Sequence, residues 1–387
     1  MLLIKKTHIL IFLSYWFVFI QLPYFPGNEN SLLIKTTSII TFCIVLIYML
    51  FKLFKKKFFW VNVILFSFVL LMMMSGVSNY GSLNTVNPLL SSFLISIRII
   101  GLFLMIEYLT EINQFYSLIV IYSRLTSIFV IFNDIIILIF PTLTSNMEPY
   151  YFIGNKFAVI YTHLQLLVLL LVRKNVEQRN CYKIYIILLA FLTAFMALRV
   201  ECMTGLTGLI IFISFCILIK VTQNIFYNPA VFFASLIVSS LFVIAYEIIL
   251  RFPLIQNLII SVFNRSLTLT GRTYIYANLF QILKEHWLWG YGYGSSYEIC
   301  VKYLHFADTQ NGIFEWILQS GIFVTACLVI LLLVIINLYK KSKERREYFI
   351  PVLALLYTFL VLSSVEITID MHFIFLLSIL FGWSIQK

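Results

Sequence analysis

Groups able to bind an anion and to accept a proton lie close together between residues 252 and 312. The run TGRT at 270–273 precedes YIYANLFQILKEHW, whose apolar residues recur at helical spacing, so we expect a helix that begins near residue 271. Arg272 would then lie in its first turn, where a guanidinium beside free backbone N–H groups forms an anion site. A solvated arginine at a loop edge explains this one feature equally well.

Glycine and aromatic residues alternate directly after that segment, in the run WLWGYGYG at 287–294. The glycines permit close backbone approach, and the aromatic rings suit either a sugar ring or the lipid headgroup region. We take Gly292 and Tyr293 as candidate substrate-binding residues, with an interfacial aromatic belt as the alternative. A nucleotide-type phosphate loop is disfavoured, because no strand precedes the run and no Gly-Lys-Ser/Thr is present.

A polar cluster, HFADTQNG, follows at 305–312, before a long apolar stretch. His305 and Asp308 are candidates for a general base. Helix capping by Asp308, Thr309 or Asn311 is the structural alternative for this cluster.

The composition describes the scaffold that must position these groups. Of the 387 residues, 62% are apolar and 11% are charged, and the mean hydropathy is +1.00. A soluble domain carries roughly a quarter charged residues, whereas here apolar runs long enough to cross a bilayer recur throughout. Because backbone groups in lipid must pair within their own segment, we expect α-helices. The sequence therefore predicts an all-α, polytopic membrane helix bundle that forms one domain over 1–387, with one large, partly helical loop at 252–312. About twelve helices are expected, at 8–26, 36–54, 58–75, 89–109, 115–140, 152–172, 184–200, 203–220, 229–251, 313–339, 349–365 and 371–385.

The net charge of +11 reflects membrane orientation and not a nucleic-acid partner. Most of the 27 basic residues fall in alternate turns, together with both chain ends, which marks that side as cytoplasmic. The large loop is then extracytoplasmic, and we expect a multi-pass membrane protein with both chain ends on the cytoplasmic side. The six cysteines are scattered without metal-ligand spacing, and no carboxylate cluster suggests a divalent ion, so neither a metal nor another cofactor is expected.

Ionisable residues also interrupt the apolar helices, where such groups are costly and mark functional positions by default. They are Arg98, Arg124, Asp134, His163 and Glu247. Arg98 is a candidate substrate-binding residue, although an ion pair of Asp134 with Arg98 or Arg124 would be structural. For Arg124 and His163 we favour a structural role.

The order of these features resembles the O-antigen ligase and O-antigen or capsule polymerase family of bacterial envelope glycosyltransferases. The resemblance covers roughly 150–330 and is strongest at 270–325. Gly271-Arg272, a helix, the glycines of 290–294 and then Asn311 and Gly321 resemble the family's Gly-Arg, Gly-x-Gly and His-Asn…Gly succession.

Two shorter elements add to the resemblance. The run GNKF at 154–157 is similar to a Lys-Asn-containing motif, and Arg199 with TGL at 204–206 is similar to a Ser-Arg-Thr/Gly-Leu element. The sequence departs from the family where Gln310 stands in place of a frequent His, with His305 five residues upstream. Arg199 is also separated from TGL by four residues, and Lys156 precedes Phe157 instead of Asn.

The resemblance implies an inverting, metal-independent glycosyltransferase that acts on polyprenyl-diphosphate-linked oligosaccharides at the outer face of the membrane. Fixed arginines would stabilise the departing diphosphate, for which Arg272 and Arg199 are assigned, while His305 or Asp308 would serve the attacking hydroxyl. The expected substrate-binding residues are Arg98, Lys156, Arg265, Gly292, Tyr293 and Asn311. The expected partners are the lipid-linked glycan and membrane lipids, and a flippase and a chain-length regulator are candidate protein partners.

A polymerase of surface polysaccharide repeat units is our leading interpretation. A ligase that transfers finished glycan to an acceptor is the sister reaction, and we prefer the polymerase because the motif departures suit that more divergent branch. A flippase of similar helix number would be expected to have repeated halves and short loops, which the large loop disfavours. A non-catalytic scaffold leaves the intramembrane arginines unexplained.

Overall fold

The computed structural model describes residues 6–19, 60–139, 143–144, 149–249, 252–257, 261, 272–342 and 346–386. Within them the regular secondary structure is helical, apart from one two-residue strand pair, β1 (Leu143–Thr144) with β2 (Pro149–Tyr150). The helices are α1 (Lys6–Phe19), α2 (Trp60–Ser78), α3 (Pro88–Glu111), α4 (Phe115–Ile139), α5 (Lys156–Glu177), α6 (Cys181–Arg199), α7 (Met203–Val221), α8 (Gln223–Phe226), α9 (Pro229–Ile249), α10 (Pro253–Asn257), α11 (Arg272–Leu283), α12 (Ser296–Leu304), α13 (Gly312–Lys341), α14 (Ile350–Leu362) and α15 (Met371–Ile385), with a 3₁₀ turn at Arg346–Phe349.

Seven of these helices are long and apolar enough to cross a membrane, and α15 is a shorter apolar helix. The seven are α2, α3, α4, α5, α6, α7 and α13. The all-α, polytopic membrane fold is therefore confirmed. The helix expected at 36–54 lies outside the described residues.

Two helices occupy the middle of the bundle. α14 is buried along almost its whole length and contacts α5, α7, α9 and α15, while α15 contacts α3 and α13. Both are apolar on all sides, as expected for helices surrounded by other helices.

The two ends of the bundle differ in character. At one end Arg173 donates to Glu177, Ser123 and Tyr182, and Asn175 donates to the carbonyl of Tyr348. This basic end also carries the guanidinium of Arg346 over the ring of Tyr227. The opposite end, called the large-loop end below, joins 79–85, 153–158, 287–298 and 367–372.

Buried polar groups inside the bundle pair with one another. His163 Nε2 lies 3.1 Å from Asp134 Oδ1, and Thr193 Oγ1 lies 3.4 Å from His163 Nδ1. The ion pair of Asp134 with Arg98 or Arg124 that the sequence suggested is thus replaced by a pair with His163. The contact agrees with the structural role favoured for His163. The pairing itself could not be predicted, because sequence spacing does not reveal which helix faces contact one another.

Candidate functional site

The site is built around a break in α13. Gly321 has φ 82° and ψ 175°, which interrupts the helical hydrogen-bond ladder. The freed Leu318 carbonyl accepts the backbone N–H of Tyr291 at 2.8 Å, and the freed Ile322 N–H donates to the Trp287 carbonyl, also at 2.8 Å. Residues 287–294, called the glycine segment below, therefore satisfy the backbone groups freed by the break. A discontinuous membrane helix requires such partners.

Glycines make this close approach possible. Gly290 has φ +63°, and a Cβ there would lie 2.6 Å from the Leu318 carbonyl oxygen. A Cβ on Gly321 would collide with the backbone of Leu288, and one on Gly292 would collide with the ring of Pro88. The glycine repeat thus has a packing role, whereas Tyr293 reaches the cavity described below.

A chain of hydrogen bonds joins the glycine segment to the polar cluster. Gly294 donates its N–H to Gln319 Oε1 at 2.8 Å, and Gln319 Nε2 donates to Glu315 Oε1 at 2.7 Å. The other oxygen of Glu315 accepts from the backbone N–H of Thr309 at 3.2 Å and from its hydroxyl at 2.8 Å. Glu315, which is buried, therefore positions both segments at once.

The polar cluster at 305–312 caps helices. Asn311 Oδ1 accepts from the N–H groups of Ile313 and Phe314, both at 3.1 Å, so the capping alternative is confirmed for this residue. Asp308 Oδ1 accepts from the backbone and the side chain of Gln310, at 2.9 and 3.0 Å. His305 is exposed and ends α12 in a left-handed conformation with φ 58°.

A cavity of about 250 Å³ opens at the large-loop end, beside this network. Four separate parts of the chain contribute to its wall: α3, the segment that enters α5, the glycine segment with the start of α13, and the loop before α15. Its lining residues are Ile95, Ile153, Ala158, Tyr293, Glu315, Trp316, Gln319, Ile367, Ile369, Asp370, Met371, His372 and Ile374. Of the residues assigned from the sequence, Tyr293 lines this cavity, while His305, Asp308 and Asn311 do not.

Sequence reasoning missed the two polar groups that precede and begin α15. Asp370 Oδ1 caps this helix by accepting from the N–H groups of His372 and Phe373, at 2.9 and 3.3 Å. Burial raises the pKa of Asp370, against the opposing effects of His372 and the N–H groups. His372 Nδ1 lies 2.6 Å from Oε1 of Gln165 on α5. The sequence feature that could have identified these two residues is the Asp-x-His run at the start of an apolar segment.

Two of the assigned basic residues lie near one another at this end. Lys156 begins α5, two residues before Ala158 of the cavity wall, and its charge acts on the thiol of Cys202. Arg199 is exposed at the last residue of α6, and its charge acts on the phenol of Tyr151.

The remaining assigned residues are placed in part. Arg98 is half-buried on α3, three residues beyond Ile95 of the cavity wall and hence on the same helix face. Helix α11 begins at Arg272, as predicted. The side chain of Arg272 and the whole of Arg265 lie outside the described residues, so their roles remain predictions.

Comparison with known proteins agrees with the resemblance seen in the sequence. The family model described as O-antigen ligase matches residues 186–329. This range includes Arg199, Arg272, the glycine segment and the break in α13, and ends before Asp370 and His372. No curated protein and no solved structure matches the chain.

Proposed function

We propose that this chain is a polymerase of the O-antigen ligase and polymerase family, from the premise that its residues 186–329 match the family model described as O-antigen ligase. It joins polyprenyl-diphosphate-linked oligosaccharide repeat units into a surface polysaccharide. The reaction takes place at the outer face of the cytoplasmic membrane, so the large-loop end is extracytoplasmic and both chain ends are cytoplasmic. Transfer is inverting and needs no metal ion.

One observation carries the proposal. The cavity at the large-loop end combines two carboxyl groups, an imidazole and two aromatic rings, from Glu315, Asp370, His372, Tyr293 and Trp316. Ligand sites in proteins typically pair apolar and aromatic walls with a few placed polar groups of this kind. Such a wall suits a sugar, whose ring has apolar faces and whose edge carries hydroxyl groups.

The basic residues assigned from the sequence would serve the donor side of the reaction. Breaking a sugar–diphosphate bond builds negative charge on the departing diphosphate, and fixed cations stabilise that charge. We assign this role to Arg272 and Arg199, and we assign donor binding to Lys156, Arg98 and Arg265.

The acceptor hydroxyl needs a group that takes its proton. From the sequence, His305 and Asp308 are the proposed bases. Tyr293 and Gly292 would hold glycan, with Asn311 fixing the start of α13 beside them. A flippase that delivers the repeat units and a chain-length regulator are the proposed protein partners.

A deletion strain distinguishes the polymerase from the ligase. Loss of a polymerase leaves single repeat units on the acceptor, whereas loss of a ligase leaves long chains on the lipid carrier. We expect single repeat units, measured as the length distribution of surface and lipid-linked glycan. Accumulation of long carrier-bound chains would identify the ligase instead.

The leaving-group assignment is tested in the complemented deletion strain. We expect Arg272→Ala to abolish long polymer at normal protein level, and Arg272→Lys to restore part of it, because lysine keeps the charge without the planar fork. The control is Lys284→Ala, which removes an exposed cation just after the same helix. Full-length polymer made by Arg272→Ala would refute the assignment.

A further inference from the structure

The described polar groups that line the cavity differ from those assigned to the diphosphate. They include the carboxyl groups of Glu315 and Asp370, and none of the described lining residues is a lysine or an arginine. A carboxyl group hydrogen-bonds to the hydroxyl groups of a sugar, and it offers no positive charge to a diphosphate. The cavity therefore suits a sugar bearing free hydroxyl groups better than the phosphorylated end of the donor.

We infer that this cavity is the subsite of the acceptor sugar and that His372 is the catalytic base for its attacking hydroxyl. The inference rests on the proposed function and adds the acceptor site to it. It also assigns to His372 the role of base that the sequence suggested for His305 or Asp308, neither of which lines the cavity.

The surroundings of His372 fit this role. The amide oxygen of Gln165 accepts hydrogen bonds only, so the 2.6 Å contact places the ring hydrogen on Nδ1 and the basic lone pair on Nε2. Gln165 is itself buried on α5 and so holds the ring in place. The carboxyl of Asp370, two residues away, interacts electrostatically with His372 and stabilises the imidazolium that forms.

Glu315, the other residue with a carboxyl group in the cavity, has a structural role. Both oxygens of Glu315 accept hydrogen bonds from the protein, one from Gln319 and the other from Thr309. This carboxyl thus serves to fix the wall of the subsite, and Asp370 Oδ1 is likewise occupied by the first N–H groups of α15.

The step balances without any further reactant. The acceptor hydroxyl gives its proton to Nε2 of His372 while its oxygen forms a bond to the anomeric carbon of the donor sugar. The bond from that carbon to the diphosphate oxygen breaks, and the diphosphate leaves with the electron pair. The proton then passes from the imidazolium to the diphosphate or to water.

The size of the cavity sets the length of acceptor that it holds. At about 250 Å³ it lies below the roughly 300–1,000 Å³ typical of sites for drug-sized ligands. The subsite therefore takes the terminal sugar of the acceptor chain, and the rest of the acceptor chain lies outside the cavity.

The test uses membrane vesicles from the complemented deletion strain, with that strain's own lipid-linked repeat unit as substrate. We expect His372→Gln to slow polymer formation by about 10²- to 10⁴-fold, the usual contribution of a general base, at unchanged donor KM. The control is His8→Gln on α1, outside the cavity wall. A rate within threefold of wild type for His372→Gln would overturn the inference.

A second variant gives a readout that a purely structural role would not move. Gln165→Glu places a carboxylate on Nδ1 and favours the charged imidazolium, so the rising limb of the pH–rate profile should move up by about one to three pH units. The described titratable groups that line the cavity together with His372 are Asp370, Glu315 and Tyr293, and they are unchanged in this variant. A folded Gln165→Glu protein with an unmoved profile would contradict the inference.

The two proposals fail in different ways. If vesicles without the protein polymerise normally, the proposed function is wrong. If only the protein-containing vesicles polymerise and His372→Gln matches wild type while His305→Gln or Asp308→Asn does not, the polymerase stands and the base is one of those residues.

Discussion

The side-chain amide of Gln319 donates to the carboxylate of Glu315 at 2.7 Å, one turn earlier on α13. The same Gln319 accepts the backbone N–H of Gly294, and the same Glu315 accepts from Thr309. One helical turn of α13 therefore holds two separate segments of the chain, the glycine segment and the polar cluster. The wall of the cavity depends on this connection, because Glu315, Gln319 and Tyr293 all line it.

Thr309→Val tests the energetic weight of that connection. The buried hydroxyl of Thr309 donates to Glu315, and its removal leaves the carboxylate short of a partner, which costs about 1–3 kcal/mol. We expect a lower Tm in detergent and reduced polymer formation. Thr207→Val is the matched control, since that exposed hydroxyl only donates within its own helix, to Met203. Equal Tm values for the two variants would show that the network adds nothing to stability.

Gly290→Ala tests whether the glycine segment completes the broken helix. The new Cβ would lie 2.6 Å from the Leu318 carbonyl oxygen and 2.7 Å from the Ser320 nitrogen, so the contact between Tyr291 and Leu318 should be lost. We expect aggregation or a markedly lower Tm on extraction into detergent.

The control for Gly290 is Gly81→Ala. Gly81 also has a left-handed φ, of +77°, but a Cβ there meets nothing within 4 Å. Its cost should be limited to backbone strain of about 1–2 kcal/mol. If Gly290→Ala lowers the Tm no more than Gly81→Ala does, a close backbone approach is not the reason that position 290 requires glycine.

Much of the fold could be predicted from the sequence, because membrane helices are long apolar segments that are recognised locally. Apolar runs of fixed length predicted the helices, and TGRT predicted the start of α11 at Arg272. The cavity could not be predicted in the same way. Glu315 appeared as one polar residue at the start of an apolar helix, and Asp370 and His372 lie more than 50 residues further along the chain. Only the packing of α13 against α15 brings these groups together.

The glycine run shows a different limit. Alternating glycines and aromatic residues predicted close backbone approach, but the sequence did not identify the group that comes close. At Gly290 that group belongs to the protein itself. The break at Gly321 frees the carbonyl of Leu318, and this carbonyl lies against Gly290.

Glu298 should make the large-loop end sensitive to acid. Its carboxylate accepts hydrogen bonds from the backbone of Asn84 and from the backbone and hydroxyl of Thr85. Burial alone would raise the pKa of Glu298, but these hydrogen bonds outweigh it and hold the pKa below its usual range. The stabilisation is therefore complete above the unfolded pKa of about 4.3 and is lost as the pH falls through the lower folded value.

Hydrogen exchange at residues 82–86 measures this effect. We expect protection of the Asn84 and Thr85 amides at neutral pH and its loss in acid, after correction for intrinsic exchange. Glu298→Gln should expose both amides already at neutral pH and remove the additional acid response. Glu285→Gln, an exposed carboxyl in the same region, is the control. Protection that survives acidification in wild type would contradict the assignment to Glu298.

Lys156 tests whether the start of α5 binds the donor diphosphate. Asn155 caps this helix by accepting from the N–H of Ala158. The ammonium of Lys156, beside the N–H groups of the first turn, is our proposed contact for the diphosphate. We expect Lys156→Gln to raise the KM for the lipid-linked repeat unit about tenfold or more, and Lys156→Arg to keep most of the activity, because here charge matters more than shape. The control is Lys220→Gln, which removes an exposed cation from the last turn of α7. An unchanged KM in Lys156→Gln, measured in vesicles at low ionic strength where charge effects are largest, would remove Lys156 from the donor site.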